Sequence, residues 1–116
     1  MANVENKEYE EIISNYYEGR GVSSLISLEI DPQRSDKVAK RLADSHNVED
    51  VLLVTGDVDM IVKARFKNYD HMKSFLTEEA SSLEGVEDVS SMMIITTYKE
   101  RGKLIEVEDK EEKEEE

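Results

Sequence analysis

Residues 58–66 read VDMIVKARF, and this stretch decides the fold because an apolar side chain recurs at every second position. The recurring residues are Val58, Met60, Val62, Ala64 and Phe66, and those between them are Asp59, Ile61, Lys63 and Arg65. Successive side chains of a β-strand point to opposite faces. This period of two therefore predicts a strand with one buried face.

The neighbouring segments predict three further strands and two helices. Strands are predicted at residues 22–30, 48–54 and 86–98, and helices at residues 35–46 and 69–84. Alternation marks the first of these strands, and apolar residues at i, i+3 and i+4 mark the helices. The uninterrupted apolar run at residues 51–54 predicts burial on both faces of the second strand.

Polar residues and a glycine indicate where the helices begin and end. Ser35 is predicted to cap the first helix, because its hydroxyl can accept from the free backbone amides of the first turn. Asn47 is predicted to close that helix in the left-handed conformation after His46. Asn68 is predicted to cap the second helix, and Gly85 to end it.

An internal repeat supports the same order of elements. Residues 48–51 and residues 86–89 both read VEDV, and each copy follows a predicted helix and opens a predicted strand. Two βαβ units with this repeat predict an α+β fold, the ferredoxin-like βαββαβ sandwich. Its four-stranded antiparallel sheet would carry both helices on one face.

The other face of this sheet has no predicted cover. It presents Leu25 and Ile61 together with Lys63 and Arg65. A partly apolar, uncovered sheet face favours self-association, so we expect a homo-oligomer, at least a dimer.

The domain is predicted to span residues 21–99. Residues 1–20 predict a separate amphipathic extension, with apolar residues at helical spacing at Tyr9, Ile12, Ile13, Tyr16 and Tyr17. Residues 100–116 predict an acidic C-terminal tail with a short edge strand at residues 102–107 and disorder beyond it.

The composition excludes several classes of function. The chain of 116 residues has a formal net charge of -13, which argues against direct contact with nucleic acid because phosphates are bound by clustered lysine and arginine. It contains no cysteine, so disulfides and thiolate sites are excluded. No apolar run is long enough to cross a membrane and no secretory signal is visible, so we expect a cytoplasmic protein.

The sequence predicts neither catalysis nor a metal site nor a cofactor. His46 and His71 are isolated in sequence, and no pattern brings either of them to a nucleophile or to a second ligand. We therefore expect a protein that is not an enzyme.

The connection at residues 55–59, TGDVD, is the best candidate for a binding site. On residue chemistry alone a plain hairpin turn is favoured, because Gly56 and Asp57 suit positive φ angles. The alternative is a site for an amino acid. Backbone amides near Gly56 would approach its carboxylate, and Asp57 or Asp59 would accept from its ammonium group.

At this motif the chain resembles the ligand-sensing (RAM) domain of the Lrp/AsnC, or feast/famine, family of transcription regulators. The resemblance rests on residues 48–63, VEDVLLVTGDVDMIVK, on the LEGV exit of the second helix at residues 83–86, and on SMMIITTYK at residues 91–99. With the first strand and helix it covers residues 22–99. It implies the βαββαβ fold independently.

The resemblance also implies a function. Such domains dimerise through their sheets, the dimers commonly build an octamer, and an effector, usually an amino acid, binds between dimers. By position, the implied ligand-binding residues are Gly56, Asp57, Val58, Asp59, Ser91 and Met92. The final strand is less polar at residues 91–93 than is usual in the family, which favours a small or apolar effector.

The stretch before the domain departs from the family, in which a helix-turn-helix DNA-binding domain precedes the sensor. Only about twenty acidic residues stand there, so the chain resembles the stand-alone form of the sensor, and an effect on transcription would run through a full-length regulator as partner. The alternative is a structural or interaction protein of the same fold without an effector, acting through the N-terminal helix or the acidic tail. Acylphosphatase-like, monooxygenase-like and RNA-binding roles of the fold lack their characteristic residues here.

Overall fold

The computed structural model describes residues 21–105 together with Glu10. Strands are β1 (Val22–Ile30), β2 (Val48–Leu53), β3 (Met60–Phe66), β4 (Val86–Ile94), β5 (Lys99–Glu100) and β6 (Lys103–Leu104). Helices are α1 (Ser35–Ala43), preceded by a 3-10 turn at Pro32–Arg34, and α2 (Tyr69–Ser74), which continues as a π-helical segment at Phe75–Ala80. The predicted N-terminal helix and most of the acidic tail lie outside the described residues.

Strands β1 to β4 form one antiparallel sheet in the order β2-β3-β1-β4. One hydrophobic core joins the sheet to both helices, since Val38 and Leu42 of α1 and Met72 of α2 belong to the same buried cluster as Ile26 and Val62. Both helices therefore cover the same face. The predicted α+β ferredoxin-like fold is confirmed; we call the opposite face of the sheet the open face.

Strand β3 lies inside the sheet and has the predicted alternation. Its core-facing side chains are all buried, and they are Met60, Val62, Ala64 and Phe66. Phe66 also contacts the ring of Phe75 at a centroid distance of 5.3 Å. Ile61, Lys63 and Arg65 lie on the open face, because successive side chains alternate.

Strand β2 corrects the prediction of burial on both faces. It pairs only with β3 and forms one edge of the sheet. Leu52, across from Ile61, is 54% exposed, and Leu53, across from Met60, is 69% exposed. Leu52 and Leu53 are therefore uncovered within one copy of the chain, whereas Val51 packs against the core, and the strand ends at Leu53 rather than at residue 54.

Helix α1 begins and ends differently from the prediction. Ser35 is its first residue rather than its cap, because the 3-10 turn feeds directly into it and is itself capped by Asp31, which accepts from the Gln33 amide at 3.1 Å. The helix ends at Ala43 and not at residue 46. Asn47 does not adopt the left-handed conformation. Its side-chain amide donates to the Arg65 carbonyl at 2.8 Å, so it ties the start of β2 to β3.

The start of the second helix is confirmed, but its helical residues end at Ala80 rather than at residue 84. The Asn68 side chain accepts from the His71 amide at 2.9 Å, and Gly85, with φ +103°, stands at the exit into β4. A β-carbon at Gly85 would come within 2.8 Å of the Arg34 side chain, so this position needs glycine for its space as well as for its φ angle.

The C-terminal part of the chain is arranged differently from the prediction. Strand β4 ends at Ile94 rather than at residue 98. The short strand predicted at residues 102–107 is β6, but it pairs with β5 in a separate two-stranded hairpin instead of extending the main sheet. This β5–β6 hairpin turns through Arg101 and Gly102, both at positive φ.

Candidate functional site

The connection between β2 and β3 is a tight exposed turn. Gly56 adopts φ +125°, and a β-carbon placed there would meet nothing within 4 Å. The glycine is therefore required by backbone conformation and leaves its amide open to an approaching group. The Val54 amide donates to the Asp59 carbonyl at 2.9 Å and closes the turn, while Asp57 at its tip is exposed.

Asp59 anchors this turn to the sheet. Its carboxylate accepts from the Ile30 amide at 2.8 Å, and its own amide donates to the Leu28 carbonyl at 2.9 Å. The Ile30 amide needs this acceptor because the register between β1 and β4 shifts between Glu29 and Ile30. One of the two carboxylates predicted for an ammonium group thus holds the backbone instead, and Asp57 is the carboxylate that stays exposed at the turn.

Ser91 and Met92 lie on β4 and face opposite sides of the sheet. Ser91 is across from Ile26 on the helix-covered face, whereas Met92 is across from Leu25 on the open face and is 64% exposed. A ligand lying on one face of the sheet therefore meets one of these two side chains and not both.

Ser91 lines a groove of about 450 Å³ between the π-helical segment and β4. Its other lining residues are Leu76, Thr77, Ser81, Val86, Glu87, Asp88 and Val89. The valines and Leu76 are apolar, two carboxylates lie among them, and the size suits a small ligand. π-helical segments recur at functional sites, so the segment that walls this groove is a useful second marker. No pattern in the sequence predicted this groove.

The Gly56 turn and the Ser91 groove are not brought together within one chain. The turn leads into β3 and the groove borders β4, and β1 lies between these two strands. Two strand spacings separate them, about 10 Å, before any offset along the strands is added. A ligand that contacts both regions of one chain would have to span this distance.

The open face carries a buried ionic cluster formed by Glu49, Lys63, Arg65 and Glu100. Glu100 of the β5–β6 hairpin accepts through one carboxylate oxygen from Lys63 Nζ at 2.6 Å and from the Arg65 guanidinium. Glu49 pairs with Arg65 Nε at 3.0 Å, and the Arg65 side chain is only 4% exposed. The expectation of an uncovered face with free Lys63 and Arg65 is therefore wrong at this end of the sheet, because the hairpin lies over it.

The cluster perturbs the acidity of Glu100. The hydrogen bond from Lys63 is the main reason that the pKa of Glu100 lies below its usual value. Burial opposes this effect, while the hydrogen bond and charge of Arg65 lower the pKa further. The sequence pattern places Lys63 and Arg65 on an uncovered face, and no local signal points to Glu100, 37 and 35 residues away, as their partner.

Metal and membrane sites are not visible in the part of the chain that the structure describes. Among residues 21–105 and Glu10 there is no group of three or more histidine, aspartate and glutamate side chains arranged to hold a metal ion. No helix within these residues is both long and apolar enough to cross a membrane.

The fold and the geometry define the class of protein: a small α+β domain with a ligand-sized groove and an exposed glycine turn. The family profile described as Lrp/AsnC ligand binding domain matches residues 23–104. The chain belongs to this family. Its relatives are transcription regulators, not enzymes, and the matched part is the regulatory ligand-binding domain.

Two relatives show the extent of the likeness. The HTH-type transcriptional regulator FL11 of Pyrococcus horikoshii is 32% identical over 98 residues, which cover 84% of this chain and 64% of that protein. The uncharacterized HTH-type transcriptional regulator YugG of Bacillus subtilis is 30% identical over 92 residues, covering 77% of this chain and 55% of that protein. The chain thus spans less than two thirds of the length of either regulator.

Solved structures with the same fold include a transcriptional regulator and AsnC. The regulator NMB0573 of Neisseria meningitidis, solved as an L-Met complex, superposes with a TM-score of 0.68 at 20% identity over 78% of this chain and 60% of that one. AsnC of Escherichia coli superposes with a TM-score of 0.68 at 14% identity over 84% of this chain and 71% of that one. At these identities the likeness establishes the fold.

Proposed function

We propose that this domain is an oligomeric amino-acid sensor whose effector site is completed between copies of the chain. The observation that carries the proposal is the separation of the Gly56 turn from the Ser91 groove by β1. Each region offers part of what an amino acid needs. The turn offers an open backbone amide for the carboxylate, and the groove offers Glu87 and Asp88 for the ammonium group beside an apolar wall.

The relatives support an amino acid as the effector. The Neisseria regulator that shares the fold was solved with L-Met. Ser91 and Met92 keep their place in the proposed site, with Met92 meeting ligand or partner on the open face. A small or apolar effector fits best, because Leu76, Val86 and Val89 form the apolar wall of the groove.

Exposed apolar side chains support self-association. Leu52 and Met92 lie on the open face, at 54% and 64% exposure, on the two edge strands of the sheet. Large apolar side chains exposed on an uncovered sheet face support a protein interface there. A dimer formed through the open face, and a larger ring such as an octamer built from dimers, would bring a turn of one copy towards a groove of another.

The sensor would act on transcription through a separate DNA-binding module. Residues 21–105 form the sheet domain and hold no helix-turn-helix. The proposed effect on transcription runs through a DNA-binding module outside these residues, such as that of a full-length Lrp/AsnC regulator.

Thermal-shift measurements with each of the twenty amino acids test the effector. A ligand present at 100 times its Kd adds about 2.7 kcal/mol of stability, which is readily seen as a rise in Tm. The competing hypothesis, an interaction protein of the same fold, gains support from Asp59, whose carboxylate is already bound to the Ile30 amide. A well-folded oligomer whose Tm responds to none of the twenty would favour that alternative.

Gly56→Val tests the site. Valine at φ +125° forces the turn into another conformation, so we expect effector affinity measured by isothermal titration to fall at least about tenfold, roughly 1.4 kcal/mol. Gly102→Val is the matched control, because Gly102 also has positive φ and also has nothing within 4 Å of an added β-carbon. Unchanged affinity in Gly56→Val, or equal loss in both variants, would remove the turn from the site.

A further inference from the structure

The ionic cluster on the open face has the composition of a ligand pocket. Lys63 and Arg65 are two residues apart on β3, so both side chains rise from the same face. Both donate to a single oxygen of Glu100, whose side chain is 18% exposed. Two cations of the sheet thus bind one carboxylate, that of Glu100, which belongs to the β5–β6 hairpin and not to the sheet.

Glu100 adds a negative charge where two cations lie close together. Lys63 and Arg65 contribute two positive charges, and Glu49 pairs with Arg65. Removing one partner of a largely buried ion pair is unfavourable, so a carboxylate is favoured at this position.

A third polar group faces the same place. Ser23 is the Cα partner of Arg65 on the neighbouring strand and lies on the open face beside it. It is 1% exposed, and its hydroxyl has no hydrogen-bond partner among the described residues. Ser24, on the other face, donates to the Met92 carbonyl at 3.1 Å instead. A carboxylate positioned differently from that of Glu100 could accept a hydrogen bond from the free Ser23 hydroxyl.

The Glu100 side chain bonds the β5–β6 hairpin to the sheet through Lys63 and Arg65. Strands β5 and β6 have two residues each. Three apolar side chains of this region are largely exposed, Leu104 at 82%, Tyr98 at 66% and Ile95 at 94%, whereas Ile105, directly after β6, is partly buried. We expect loss of the Glu100 contact to loosen the hairpin.

We propose that Ser23, Lys63 and Arg65 form a carboxylate-binding pocket distinct from the Gly56 turn, with Glu100 as its built-in occupant. A free carboxylate ligand that replaces Glu100 releases the β5–β6 hairpin and uncovers this end of the open face. A tethered group acts at an effective concentration on the order of millimolar, so the ligand must be an abundant small carboxylate. The pocket does not depend on effector binding at the turn.

Chemical rescue of Glu100→Ala tests the pocket. The variant should have a Tm several degrees below that of the wild type. Sodium acetate should restore most of that loss at about 100 mM, well above the millimolar effective concentration of a tethered carboxylate. Sodium chloride at the same ionic strength should not. Glu29→Ala is the matched control, because Glu29 is an exposed carboxylate on the same face of β1. It should show neither the loss nor the acetate response.

If Glu100→Ala fails to fold, Glu100→Gln replaces it, since the amide oxygen keeps one acceptor for Lys63 or Arg65. An unchanged Tm in the variant, or a lowered Tm that acetate leaves unaltered, would overturn the proposal and leave the cluster as a fixed ion pair.

Displacement in the wild type is followed by amide signals in 1H–15N NMR spectra. Acetate, but not chloride, should move the signals of residues 99–104 towards their positions in Glu100→Ala, while the signal of Gly56 stays in place. A response at Gly56 without one at residues 99–104 would contradict the pocket and would leave the proposed effector site at the turn standing.

Discussion

Among the candidate site residues, Asp57 and Asp59 differ most clearly in their roles. The motif presents two carboxylates two residues apart, and the sequence alone cannot say which of them reaches a ligand. The structure separates them, because Asp59 accepts from the Ile30 amide and Asp57 stays exposed. Asp59 is therefore a positioning residue that fixes the turn, and it acts on a ligand only through Gly56 and Asp57.

Asp59→Ala should destabilise the fold. It leaves the partly buried Ile30 amide without its acceptor, which costs about 1–3 kcal/mol, measured as the free energy of unfolding in urea. Asp59→Asn should lose less, because its amide oxygen can accept the same hydrogen bond. Asp57→Ala is the control and should leave stability within about 0.5 kcal/mol. Equal stability of Asp59→Ala and wild type would show that Asp59 does not anchor the turn.

At the scale of elements, the sequence predicts best where one physical signal dominates. Strand β3 lies between β2 and β1 in the sheet, and the structure shows the alternation of buried side chains that its sequence predicts. Asn68 caps α2 as predicted, because a cap is formed by a local hydrogen bond. Strand β2 fails, since the apolar run that suggested two covered faces lies at a sheet edge, and edge position depends on topology rather than on local sequence.

The same limit explains the β5–β6 hairpin. A short strand was expected near its position, but its place over Lys63 and Arg65 depends on contacts 35 and 37 residues apart in sequence. No local pattern encodes such a contact. The candidate site divides in the same way: the glycine turn is visible in sequence, while the groove beside Ser91 arises only when the π-helical segment packs against β4.

The hairpin should make stability depend on pH through Glu100. Its pKa is lowered in the folded state, chiefly by the hydrogen bond from Lys63, so the unfolded chain takes up the proton first as the pH falls. The stabilisation is complete above the unfolded pKa, about 4.3, and is lost as the pH falls through the lower folded value. The difference in unfolding free energy between wild type and Glu100→Gln should thus be constant above about pH 5 and shrink below about pH 4.

Urea titrations at a series of pH values measure that difference. Glu29→Gln, an exposed change on the same face, serves as the control for removing one charge. A gap between wild type and Glu100→Gln that keeps its full size down to pH 2 would mean that the ionised carboxylate of Glu100 does not hold the hairpin.

At the scale of the whole molecule, one copy leaves its two edges and part of its open face unfinished. The helices cover the central strands on one side of the sheet and leave Leu53 and Met93 of the edge strands exposed, whereas the hairpin covers the other side around Lys63 and Arg65. Leu52 and Met92 stay exposed on the remainder of that side. The core is therefore complete within one chain. The open face is the surface through which we propose that copies associate.

Met92→Asp tests whether copies meet through the open face. A carboxylate buried there without a partner is unfavourable, so the dissociation constant of the dimer should rise at least about tenfold, roughly 1.4 kcal/mol. Sedimentation velocity over a range of protein concentrations gives that constant. Tyr69→Asp is the control, because Tyr69 is similarly exposed, at 55%, but lies on α2 and so on the other side of the sheet. If Tyr69→Asp dissociates the assembly and Met92→Asp does not, copies meet through the helices, and the turn and groove must then be brought together by that different contact.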